Sequence, residues 1–86
     1  MIPKSEIRYG AVAEVELGHS VLLSLSPEAE VMLTGPHRFA IPFNYLAILG
    51  EPEVVNGVEC VKVGWGSETL YADYNDLRYG ARLLGS

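Results

Sequence analysis

The chain has 86 residues, 49% of them hydrophobic and 20% charged, with six Lys/Arg against eleven Asp/Glu for a formal charge of -5. Residues 1–86 form one small domain, long enough to bury about 60–65% of its unfolded surface. Cys60 is the only cysteine, which excludes an internal disulfide framework, and one Cys with two His gives no basis for a structural zinc.

The opening Met1-Ile2-Pro3-Lys4-Ser5-Glu6 has no apolar leader pattern, and residues 1–8 read as a candidate flexible arm. Period two then dominates, and no window of helical length holds a 3.6 period, so the chain reads as all-β. Ala11, Ala13, Val15 and Leu17 share one strand face, with Val12, Glu14 and Glu16 on the other. Gly18-His19 reads as a tight turn, after which Val21, Leu23 and Leu25 alternate against Ser20, Leu22, Ser24 and Ser26. Residues 26–34 fit either a helix start at Ser26-Pro27-Glu28 or, as preferred, a turn and a strand. Gly35-Pro36-His37 is a turn by composition, and Arg38 to Phe43 reads as a strand with Phe39, Ile41 and Phe43 on one face. Pro42 limits that strand, because proline has no amide to donate to a neighbour. Asn44 to Leu49 reads as a short 3₁₀ turn or a bent strand.

Asn56-Gly57 between β-forming residues is the clearest local signal, because both positions of a tight hairpin turn need φ > 0. It predicts Val55 opposite Val58, and a core face of Val54, Glu59, Val61, Val63 and Trp65. A second turn at Gly66-Ser67 pairs Trp65 with Glu68, Val63 with Leu70, Val61 with Ala72 and Lys62 with Tyr71. A single 3₁₀ turn around Asp76 and a short strand at Ala81 to Leu84 complete the chain. A shift of 31 residues sets Gly35 on Gly66, Asn44 on Asn75 and Leu46 on Leu77, a candidate internal repeat. The architecture expected is a small barrel or strongly bent antiparallel sheet of five to seven strands.

The acidic balance, with a pI near 4.8, argues against nucleic acid as a partner, since phosphate affinity comes from Lys and Arg. No apolar run is long enough to span a bilayer, and the chain is expected to be cytoplasmic, without membrane or cofactor. No nucleophile motif, phosphate loop or metal-spaced cluster occurs, so no catalytic or metal-binding residue is predicted. Cys60, close to Glu59 and Asp73, is a poor nucleophile and reads as structural. Apolar residues on predicted outer faces (Val12, Leu22, Met32, Val55, Val58) point to self-association or to another protein partner. Tyr71, Asp73, Tyr74, Asp76 and Tyr79 are the candidate binding residues, because aromatic rings flanked by carboxylates attract a cationic ligand. The Glu pairs Glu14/Glu16, Glu28/Glu30 and Glu51/Glu53 read first as the solvated outer face of a small sheet, with an acidic mimic that inhibits a basic nucleic-acid-binding protein as a second alternative.

The stretch Val61-Lys62-Val63-Gly64-Trp65-Gly66-Ser67-Glu68-Thr69-Leu70-Tyr71, followed by Asp76-Leu77-Arg78, resembles the C-terminal part of Src-homology-3-like (SH3-like) small barrels, Tudor-type domains among them. The resemblance implies a barrel that binds rather than catalyses. Ser67 to Leu77 is also similar to the active-site strand of the small plasmid-type dihydrofolate reductases, tetramers of such barrels. That family carries Val-Gln-Ile-Tyr where this chain has Glu68-Thr69-Leu70-Tyr71, so Thr69 replaces the substrate-contacting glutamine. The primary expectation is therefore a non-enzymatic protein-binding or assembly module that forms homo-oligomers. A ligand-binding or enzymatic oligomer with an interface pocket is the alternative.

Overall fold

The computed structural model describes residues 1–25 and 37–84. After a 3₁₀ turn at Lys4–Glu6 come β1 (Val12–Val15), β2 (Val21–Ser24), β3 (His37–Ala40), β4 (Tyr45–Ile48), β5 (Glu53–Val55), β6 (Val58–Trp65), β7 (Glu68–Asp73), helix α1 (Tyr74–Gly80) and β8 (Ala81–Leu83). All strand pairs are antiparallel and form one sheet of order β3-β2-β7-β6-β4-β1-β8, with β5 paired to β6. The all-β expectation holds, with eight strands among the described residues rather than five to seven. Residues 26–34, expected as a turn and a strand or as a helix start, lie outside the described residues with the Gly35-Pro36 turn.

The turn residues set the register where the sequence was clearest. Asn56 and Gly57 have φ of 49° and 83°, and Gly66 has 61°, the backbone that two-residue hairpin turns require. Val55 then faces Val58, and Trp65, Val63, Lys62 and Val61 face Glu68, Leu70, Tyr71 and Ala72. Val61 and Val63 are buried and Trp65 packs partly against them, whereas Val54 is 66% exposed because the β5–β6 hairpin projects past the body of the sheet.

Short links force the sheet to curl. Residues 16–20 connect β1 to β2, and residues 41–44 connect β3 to β4, although each pair stands four positions apart in the strand order. A flat sheet would separate such strands by about 19 Å. Gly18-His19 therefore opens a crossing to the other side of the roll rather than a β1–β2 hairpin. β6, the longest strand, joins the two halves by pairing with β7, β4 and β5. No described ladder joins β3 to β8, so the roll stays open.

Inside the roll lie Ala13, Val15, Val21, Leu23, Leu46, Ile48, Val61, Val63, Leu70 and Ala72, all at most 1% exposed. The segment around Asp76 is a seven-residue α-helix, not a single 3₁₀ turn. Asp73 caps it by accepting from the Asp76 amide at 3.1 Å, and Tyr74 and Leu77, one turn apart, bury the same side. Packing against the sheet compensates for a length that is marginal in isolation. Asn75-Asp76-Leu77 is thus helical, whereas Asn44-Tyr45-Leu46 leads into β4, so the 31-residue echo does not correspond to a repeated structure. Residues 1–8, expected as a flexible arm, lie against the roll: Ile2 and Ile7 are buried, the Ile2 amide donates to the Arg78 carbonyl, and Arg78 Nε donates back to the Ile2 carbonyl.

Candidate interaction surface

The five residues singled out by the sequence occupy different places. Tyr74 is 5% exposed and belongs to the core, while Tyr79 is 55% exposed on the outer side of α1. Asp73 caps α1, and Asp76 Oδ2 accepts from the Leu22 amide at 3.1 Å, tying the first helical turn to β2. Tyr71 is half-buried in β7 opposite Lys62. The ring of Tyr74 faces two cations of the chain itself, Lys4 Nζ at 5.4 Å and the Arg78 guanidinium at 5.9 Å, and Arg78 also lies 5.6 Å from the Tyr79 ring. The cations that face Tyr74 and Tyr79 are thus the chain's own. Nearby hollows are lined elsewhere: one of about 360 Å³ by residues of the N-terminal segment with Leu83 and Leu84, another of about 120 Å³ by Leu23, Leu25, His37, Arg38 and Leu70.

An Asp73→Ala variant removes the cap while leaving the strand ladder in place. A loss of about 1 kcal/mol in urea unfolding is expected. An unchanged midpoint would mean that the cap contributes nothing to the helix.

Among the described residues three ion pairs link segments remote in sequence. Arg82 donates from Nε and Nη2 to Glu14 Oε1 at 3.0 and 2.7 Å, directly across the β1–β8 ladder. Lys4 Nζ meets Glu59 Oε2 at 2.6 Å, and Arg38 pairs with Glu68. Hydrogen bonding and charge attraction from Glu59 raise the Lys4 pKa, and Glu14 acts in the same way on Arg82. Cys60 is fully buried, and desolvation, reinforced by Glu53, Asp73 and Glu59, pushes its thiol up. That environment suppresses the thiolate a nucleophile needs. Among the described residues, no three His, Cys, Asp or Glu side chains converge as a metal site. Among the same residues no helix is long and apolar enough to cross a membrane.

What the surface does display is apolar. Phe39, Ile41, Phe43 and Tyr45 are 49%, 58%, 63% and 55% exposed. The expected strand Arg38 to Phe43 ends at Ala40, and residues 41–44 form a tight turn in which the Asn44 amide donates to the Ile41 carbonyl at 3.0 Å. Asn44 Oδ1 accepts from the Ile41 amide, closing the turn from the other side. Pro42 supplies the fixed φ of the second position, and Phe43 takes the third with φ of 70°, where a type II turn ordinarily has Gly or Asn. Hydrogen bonds from the Phe43 amide to the Val15 carbonyl, and from the Val15 amide to the Asn44 carbonyl, hold it there. A bulky aromatic is thus kept in a backbone conformation that costs about 1–3 kcal/mol, with most of its ring in water. The sequence reading placed Phe39, Ile41 and Phe43 on one face but did not identify that face as exposed. The available signal was the run of apolar residues at every odd position from Phe39 to Leu49, continuing through a proline-containing turn.

No protein-family model, curated protein or solved structure is significantly similar to this chain.

Proposed function

We propose that the chain is a non-enzymatic protein-binding module that assembles with copies of itself. The observation supporting this reading is the exposed row Phe39, Ile41, Phe43 and Tyr45, with Phe43 kept in a left-handed turn position that a glycine would occupy without strain. Exposed aromatics of this kind are the usual anchors of protein interfaces, because each removes a large apolar area from water on contact. Hydrogen bonds to Val15 hold Phe43 in that conformation while its ring stays exposed, and contact with a partner would remove the ring from water.

The test is light scattering coupled to size exclusion, from about 10 to several hundred micromolar, a range suited to interfaces of modest area. Wild type is expected to leave the 9.4 kDa monomer mass as concentration rises. Phe43→Gly is expected to keep the fold, with a melting temperature equal to or above that of wild type, and to lower self-association. A wild-type chain that stays monomeric throughout this range would remove the self-assembly reading.

A further inference from the structure

Among the described residues, β3, β5 and β8 each pair on one side only, and their free edges are not equivalent. The approach to β5 reads Glu51-Pro52-Glu53, the charges and proline that ordinarily keep an edge from pairing. Leu83 of β8 lines one hollow with Met1, Ile2, Pro3 and Glu6, so the N-terminal segment lies beside that strand. β3 has neither protection. It is in substantial contact with β2 alone among the described elements, and its one charged side chain, Arg38, is paired with Glu68.

Hydrogen bonding fixes what the β3 edge presents, because successive residues of a strand turn their amide and carbonyl to opposite sides. The Leu22 amide donates to Asp76 Oδ2, so it faces α1 rather than β3, and Leu22 and Phe39 oppose each other without exchanging ladder hydrogen bonds. The Phe39 amide and carbonyl therefore point to the free edge. Ile41, the next residue of that orientation, has its amide held by Asn44 Oδ1 and its carbonyl by the Asn44 amide. Phe39 is thus the last position before the turn at which this edge can extend the sheet.

The edge is complementary to itself. An antiparallel partner sets outward-facing residues against outward-facing residues, and a register centred on Ala40 would need the Ile41 amide that Asn44 already holds. A register centred on Arg38 sets two arginines directly opposite, which is destabilising. Centred on Phe39, Arg38 of each copy meets Ala40 of the other. The two Phe39 rings then meet at the axis with Ile41 of each copy diagonally beside them, which joins the exposed residues of both chains into one apolar surface.

Resting on the self-assembly reading above, we propose that two copies of this chain pair antiparallel through their β3 edges, with a two-fold axis at Phe39, to form one continuous sheet. The Phe39 amide of each copy donates to the Phe39 carbonyl of the other. The contact is isologous and closed, so the dimer leaves no second edge of this kind for a third copy.

Residue-resolved hydrogen–deuterium exchange of the full-length chain, at the concentrations used for light scattering, tests it. The Phe39 amide is expected to exchange freely in the dilute monomer and to slow about tenfold once about 90% of the chain is dimeric. Two variants separate backbone from side chain. Phe39→Leu keeps an apolar side chain and the amide, whereas Phe39→Pro removes the amide at an edge position where the fold does not use it. The proline variant is expected to dimerise more than about tenfold more weakly than the leucine variant, because two symmetric hydrogen bonds are lost. A wild-type dimer whose Phe39 amide exchanges as in the monomer, or equal association of two folded variants, overturns edge pairing and leaves self-assembly in place. Full protection of that amide in the dilute monomer means that the edge is satisfied within one chain and overturns the pairing equally. A wild type that stays monomeric overturns the self-assembly reading itself.

Discussion

Deleting residues 1–8 is expected to unfold the domain at ambient temperature or to lower its melting temperature by more than about 20 °C. Ile2 and Ile7 are 2% and 1% exposed, and burial of an isoleucine side chain contributes about 1.5–3 kcal/mol before the cavity left behind is counted. The same deletion removes both hydrogen bonds between Ile2 and Arg78, one from the Ile2 amide to the Arg78 carbonyl and one from Arg78 Nε to the Ile2 carbonyl, and the Lys4–Glu59 pair. A domain of this length has roughly 4–13 kcal/mol of total stability, so a loss of several kcal/mol takes most of it. Circular dichroism melts of the truncated chain, with Ile2→Ala and Ile7→Ala as single-site controls, provide the measurement. A truncated protein that melts within a few degrees of wild type would show that the segment is the flexible arm suggested by its sequence.

Leu77→Ala has the second largest expected effect. Leu77 is fully buried on α1, and α1 packs against β2, β6, β7 and β8. Truncation leaves a cavity that a short, capped helix wedged across a rolled sheet collapses poorly, at a cost of about 3 kcal/mol. That corresponds to a drop of roughly 12–24 °C for a domain of this size. Leu77→Met, which nearly conserves volume, is expected to cost less than about 1.5 kcal/mol. Equal melting temperatures for Leu77→Ala and wild type would mean that α1 is peripheral to the fold. Both experiments concern the same junction, because Arg78 on the helix carries the hydrogen bonds to Ile2.

The candidate site was less legible than the fold. Tyrosines and aspartates close in sequence suggested a cation-binding cluster, and the cations facing Tyr74 are Lys4, which is remote in sequence, and Arg78 on the same helix. Asp73 and Asp76 are tied to backbone amides at the start of the helix and in β2. Sequence distance conceals such pairings, because a carboxylate next to a turn reads the same whether it caps a helix or faces a ligand. The exposed apolar row from Phe39 to Tyr45 was half legible: alternation showed which residues share a face, but not which face turns outward.

By itself the sequence determined the all-β class and the register of β5, β6 and β7. The reason is local, since period-two alternation fixes side-chain direction and Asn56-Gly57 and Gly66-Ser67 fix the turns. Tertiary structure alone decided the rest. Curling the sheet made the β1–β2 and β3–β4 links crossings, buried Ile2 and Ile7, and lengthened the segment at Asp76 into a helix. It also left Phe39, Ile41, Phe43 and Tyr45 facing solvent. Each of these outcomes depends on contacts between segments far apart in the chain, whose balance of burial against chain entropy no local pattern encodes.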